Sequence, residues 1–168
     1  MNLTESAVEK VVLKWFKTLG YAVASGADIA PGSPKAERDS FGDVVLSGRL
    51  RKAVDRLNPD LPGDAREEAV RKVLRAGTPS LAQANRDFHR MLRDGVEIEH
   101  ARADGSIAGA RVRLADFDDS DSNDFLAVNQ FTVVDGHHKR RADIVLFLNG
   151  LPVALFELKN PGDENATV

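Results

Sequence analysis

RADIVLFLNGLPVALFELKNP, residues 141–161, contains the two most apolar segments of the chain, Ala142–Leu148 and Pro152–Lys159, with Asn149-Gly150 between them. Runs of β-branched and large aliphatic residues at this length indicate buried strands, and Asn-Gly is a strong turn signal. The stretch therefore predicts a hairpin inside a sheet. Three ionisable residues interrupt it: Asp143, Glu157 and Lys159. A charge within a buried strand is costly unless it is paired or bound to a metal. Glu157 and Lys159 are two apart, so both point to one face.

Whether Asp143 joins them depends on the turn. A two-residue Asn149-Gly150 turn with regular pairing sets Asp143 opposite Phe156, on the wrong face. A three-residue loop, Leu148-Asn149-Gly150 with Gly150 left-handed, sets Asp143 opposite Leu155 and diagonal to Glu157. A shared site thus requires an odd-length turn or an equivalent bulge. Given that geometry, Asp143, Glu157 and the Leu158 backbone carbonyl form an oxygen donor set suited to Mg²⁺. Lys159 would orient a water or neutralise charge on a phosphate. The alternative is a surface Asp and an ordinary Glu–Lys pair at a strand end.

Outward from this hairpin, Leu126–Val134 reads as a strand that leads into the turn Asp135-Gly136 and the basic run His137–Arg141. Lys139, Arg140 and Arg141 could contact DNA phosphates, although solvated turn charge is the plainer reading. The acidic loop 116–124 lacks the glycine and terminal glutamate of an EF-hand loop, so calcium is not expected there. Val96–Ala101 and Ala108–Leu114 form a second period-two pair around Asp104-Gly105. Before them, residues 48–95 read as a helical insertion on one flank of the fold. Its helices are marked by Leu50, Val54 and Leu57; by Ala65, Ala69, Val73 and Leu74 behind an Asp64 cap; and by Leu81, Ala84, Phe88 and Leu92 behind a Ser80 cap. The first helix of the chain carries Val8, Val12, Trp15, Phe16 and Leu19, with Trp15 and Phe16 in the core. Tyr21–Ala24 follows as a short strand. Residues 161–168 carry no periodicity and are expected to form a disordered tail.

At 168 residues, with 42% hydrophobic and 29% charged, the chain has the size and balance of one globular domain. No apolar run is long enough for a bilayer, and charged residues break the N-terminus where a secretion signal would be apolar. The absence of cysteine excludes disulfides and thiolate metal sites and points to the cytoplasm. A net charge of −3 is not that of a protein held to DNA by bulk attraction. No glycine-rich phosphate loop is present, so this piece is not expected to bind ATP.

The D-x13-E-x-K spacing of Asp143, Glu157 and Lys159 resembles the PD-(D/E)XK nuclease motif. Its context, VNQFTVV at 128–134 followed by the 141–161 stretch, is similar to the N-terminal nuclease domain of the restriction (motor) subunit of type I restriction-modification enzymes. LNPDLP at 57–62 and the helix ending Leu19-Gly20-Tyr21 are similar too, so the resemblance spans essentially the whole chain. It implies an α/β restriction-endonuclease-like fold with a mixed central sheet flanked by helices. The implied function is Mg²⁺-dependent cleavage of double-stranded DNA, with modification and specificity subunits as partners and ATP used only by the full-length motor. It also implies that a glutamate of the first helix faces the site. Glu9 matches that position and Glu5 is the weaker alternative, while Ser6 and Glu9 also fit a capping box. Ala142 departs from the usual proline before the first acid. The chain stops before the family's Gln-x-x-x-Tyr helix and translocase, so it reads as a single nuclease domain cut from a longer protein. Two rivals stand beside this reading: a non-catalytic module that docks partners or DNA, and a stand-alone nuclease of a repair or mobile-element system.

Overall fold

The computed structural model describes residues 5–75, 80–102 and 104–159. The expected tail at 161–168 lies outside them. The elements are α1 (Glu5–Thr18), β1 (Ala22–Ser25), α2 (Ser47–Leu57), α3 (Gly63–Arg75), α4 (Leu81–Asp94), β2 (Val96–Ala101), β3 (Ile107–Val112), β4 (Phe125–Asp135), β5 (His138–Leu148) and β6 (Leu151–Phe156). This is the mixed α/β class that the sequence implied. Two compact units form: Met1–Leu46 with Phe125–Val168, and Ser47–Asp124.

The first unit is built on a four-stranded mixed sheet, ordered β1-β4-β5-β6, in which β1 runs parallel to β4 and the rest pair antiparallel. One face carries α1, with Phe16 buried against Ala127, Ile144 and Leu146, and with Phe156 and Leu158 packed beside them. The other face is covered by the irregular segment after β1, from which Ile29 and Leu46 pack on Leu126, Val128, Phe131, Ala142, Val145 and Phe147. In that segment Arg38 is only 4% exposed and lies 4.0 Å over the Phe131 ring. Burial pushes its pKa below the usual guanidinium value.

The helix lies on the sheet through only part of the expected stripe, Val12 and Phe16, with Leu13 beside them. Val12, Leu13 and Phe16 face the core, which places Glu9 on the same stripe, whereas Trp15 is 57% exposed and Val11 and Leu19 are exposed with it. Phe16 fills the space between the rings of Tyr21 and Phe156, at 5.3 and 5.5 Å, and Trp15 is left to stack on its outer side. The expectation that both aromatics are core holds for Phe16 alone.

The two central strands share an irregularity. Alternation should put residues three apart on opposite faces. Yet Val128 and Phe131 of β4 pack in one cluster, and so do their register partners Val145 and Ala142 of β5. Each strand therefore takes a matched step, over Asn129-Gln130 on β4 and Asp143-Ile144 on β5. Gln130 makes the step with φ 54°, a left-handed conformation uncommon for a residue with a side chain. Gly26 permits it: a Cβ there would lie 2.4 Å from the Gln130 carbonyl oxygen, and its N–H donates to the Asn129 carbonyl at 2.7 Å.

The second unit begins beside the expected insertion and continues past residue 95 through the β2–β3 hairpin and the acidic loop. Within it α3 packs on α2 and β2, burying Leu50, Val54, Val70, Val73, Val96 and Val112. Leu74 is exposed and Val70 takes its place in the stripe. Ser80 caps α4 as expected, accepting from the Gln83 N–H. The apolar face foreseen for that helix is not buried, however, and Leu81 is 76% exposed. Asn58, read from sequence as part of a helix stop, is a buried polar hub. Its Nδ2 donates to the carbonyls of Val54 and Arg113, and its Oδ1 accepts from Arg113 N–H at 2.8 Å.

Candidate functional site

The hairpin that decides the site closes with the tight turn. Asn149 and Gly150 have φ 53° and 81°, and Leu148 pairs with Leu151, so the three-residue loop is not formed. The equivalent bulge is. Phe147 pairs with Pro152 but Leu146 with Ala154, which leaves Val153 as an extra residue on β6. Pro152 has no N–H to give the ladder, and it stands on an outermost strand of this sheet, where such a break is tolerated. Beyond the bulge Val145 pairs with Leu155 and Ile144 with Phe156. The next step of this register sets Asp143 across from Glu157.

Glu157 and Lys159 were expected inside the strand, but they follow its last paired residue, Phe156. Leu158, between them, packs into the α1 cluster, and alternation leaves Glu157 and Lys159 exposed on either side of it. Asp143 is 9% exposed, and its Oδ2 accepts the Leu158 N–H at 2.6 Å. That bond ties the first acid to the segment carrying the other two groups. Asp143 Oδ1 and the Glu157 carboxylate have no hydrogen-bond partner among the described residues, so both can take a cation.

Glu9 sits elsewhere. Its two oxygens accept from Asn129 Nδ2 at 2.7 Å and from Gln130 Nε2. Ser6 already lies within α1, and the capping box is not formed. Gln130 lies between the Asn129–Ile144 and Phe131–Ala142 pairs, across from Asp143. Glu9 thus meets β4 at the position that stands across from Asp143. Among the described residues no three Asp, Glu or His side chains gather closely enough to hold a metal ion. The available donor set is two carboxylates and a backbone carbonyl, all hard oxygens, which suits Mg²⁺ or Mn²⁺.

The basic run is strand rather than turn. β5 begins at His138, so Lys139, Arg140 and Arg141 pair with Val134, Val133 and Thr132, and all three are exposed. They are three consecutive cations leading into Asp143, with Arg140 alternating to the opposite face from Lys139 and Arg141. The acidic loop is occupied with its own backbone. Asp116 Oδ1 accepts the N–H groups of Asp118 and Asp119, and Asp119 accepts from Asp121 N–H and Ser122 Oγ. No helix among the described residues is long and apolar enough to cross a membrane. Asn129 and Gln130 carried no role in the sequence reading. Their signal was two adjacent carboxamides in a largely apolar strand.

Comparison with known proteins bears directly on this arrangement. Residues 2–168 match the family model described as type I restriction enzyme R protein N terminus. The chain is 37% identical over 165 residues to the type I restriction enzyme HindI endonuclease subunit of Haemophilus influenzae, covering 98% of this chain and 16% of that protein. It is 33% identical over 157 residues to a provisionally assigned type I restriction enzyme MjaIXP endonuclease subunit of Methanocaldococcus jannaschii, covering 92% and 15%. The chain thus spans about one-sixth of the length of these relatives. With a family match over essentially every residue, the chain belongs to the family of type I restriction enzyme R protein N-terminal domains.

Proposed function

We propose that this chain is the nuclease domain of a type I restriction enzyme endonuclease subunit and hydrolyses phosphodiester bonds of double-stranded DNA with a divalent metal, Mg²⁺ in the cell. The observation that carries the reading is the bond from Leu158 N–H to Asp143 Oδ2, together with the Val153 bulge that sets Asp143 across from Glu157. Hydrolysis needs a nucleophilic water and stabilisation of extra negative charge on the phosphate. Asp143 Oδ1, Glu157 and the Leu158 carbonyl would hold the cation, which supplies Lewis-acid stabilisation and a more acidic bound water. Lys159, exposed beside them, would orient the water and offset charge on the phosphate. Lys139, Arg140 and Arg141 would hold the DNA backbone, a positioning contact that carries no sequence information. Recognition would come from a specificity subunit, methylation from a modification subunit, and ATP-driven movement from the remainder of the longer polypeptide.

The rival is a docking module with the nuclease fold and no chemistry, and the lack of a three-acid cluster among the described residues favours it. Asp143→Asn separates the two. An asparagine side-chain carbonyl can still accept the Leu158 N–H, so the fold should survive while the metal-binding charge is lost. In the full-length subunit assembled with its partners, cleavage should fall by orders of magnitude with ATP hydrolysis retained. Cleavage at the wild-type rate would refute the nuclease reading.

A further inference from the structure

The Glu9 carboxylate differs from the other two acids of the site in what it touches. Both its oxygens are taken by carboxamide donors, whereas Asp143 uses one oxygen and Glu157 has no partner among the described residues. Coordinating a metal directly would require Glu9 to give up a charge-assisted bond to Asn129 or Gln130. Those donors stand on the step of β4, where Gln130 is held left-handed and Gly26 crowds its carbonyl. Such a backbone is strained and persists only where its surroundings over-determine it. The matched step on β5 contains Asp143.

Resting on the nuclease reading above, we propose that Glu9 is a positioning residue rather than a metal ligand. With Asn129 and Gln130 it clamps the step in β4, and through the paired step in β5 it turns Asp143 off the apolar face towards Leu158. α1 supplies the carboxylate because its sheet-facing stripe, Glu9-Val12-Leu13-Phe16, leaves a polar position over the only two amides in β4. Asn129 and Gln130 are then positioning residues of the same site, acting on Asp143 through the strand.

The test is a double-mutant cycle in the full-length subunit with its partner subunits. Glu9→Ala, Gln130→Gly and the pair are compared for DNA cleavage, ATP hydrolysis and Mn²⁺ affinity by calorimetry. Gln130→Gly keeps the left-handed backbone at no steric cost while removing the amide, so it reports on the clamp without threatening the fold. Each single change should lower Mn²⁺ affinity and cleavage alike, by about 10- to 100-fold. The double should be no worse than Glu9→Ala alone, because that change already removes the bond to Gln130 together with the one to Asn129. Gln130→Asn, which keeps an amide and tolerates the conformation, should restore part of the loss. The proposal is overturned if the losses simply add. It is equally overturned if Glu9→Ala weakens Mn²⁺ binding about tenfold more than Asn129→Ala and Gln130→Gly combined, which remove the same two bonds, as a direct ligand would. Asp143→Asn serves as the reference: if it abolishes cleavage while Gln130→Gly changes nothing, the clamp fails and the nuclease reading stands. If Asp143→Asn leaves cleavage intact, the nuclease reading itself fails.

Discussion

Replacing Gly26 by alanine tests the step in the central strands without touching any ionisable group. An alanine Cβ would lie 2.4 Å from the Gln130 carbonyl oxygen, 2.8 Å from its carbon and 2.9 Å from the Asn129 oxygen. All three atoms are backbone of a central strand and cannot swing aside as a side chain would. Overpacking of this kind costs about 1–3 kcal/mol. Displacing β4 also weakens the Gly26 N–H bond to Asn129, worth about 1 kcal/mol. Against this, alanine restricts the unfolded chain and returns about 0.4–1 kcal/mol. The net loss is roughly 1–3.6 kcal/mol, and at roughly 2–4 °C per kcal/mol it lowers Tm by about 2–14 °C. Gly48→Ala is the internal control: that glycine lies in α2 with nothing within 4 Å of an added Cβ, and alanine is the better helix former. It should leave Tm unchanged or raise it slightly. Circular-dichroism melts of the two variants beside the parent decide the matter. A Gly26→Ala protein that melts within about a degree of the parent would refute the reasoning, given the roughly 1 kcal/mol minimum above.

Asn58→Ala leaves the N–H and carbonyl of Arg113 without their partner, and should cost about 2–4 kcal/mol in urea unfolding; an unchanged midpoint would deny Asn58 its place as a hub. Backbone donation from Asp119 and Asp118 holds the Asp116 carboxyl below the usual carboxylate range. A depressed folded value contributes stability above the unfolded pKa of about 3.9 and loses it as pH falls through the folded value. Asp116→Asn should therefore lower stability near neutrality and flatten the acid limb below about pH 4, and an acid limb like the parent's would contradict this. Alanine at Lys139, Arg140 and Arg141 together should weaken DNA binding and reduce the slope of log K against log salt by roughly 1 for each phosphate no longer neutralised. An unaltered slope would remove these residues from the DNA surface.

The hairpin at 138–156 and the β2–β3 pair were legible because period-two patterning and Asn-Gly or Asp-Gly turns act locally. The ends of elements were less so. β5 starts at His138 because Thr132–Asp135 offer it a partner strand, and charged side chains do not prevent pairing where they stay exposed. Trp15 and Leu81 looked like core by spacing. Spacing names an apolar stripe, but only packing determines which part of it meets a neighbour, and Phe16 is the residue that fits between Tyr21 and Phe156.

Asp143, Glu157 and Lys159 could be singled out from the sequence alone, since ionisable groups in apolar strands need a reason, and so could the requirement that their strands meet out of simple register. How that requirement is met belongs to the tertiary structure. A turn of two residues or three, a bulge at Val153 or none, are alternatives separated by small local energies, and the pairing of β5 with both neighbours selects among them. The role of Glu9 was hidden for the same reason. Its partners Asn129 and Gln130 lie 120 and 121 residues away. Nothing in a chain read residue by residue ties a helix carboxylate to a strand amide until the helix has docked on the sheet.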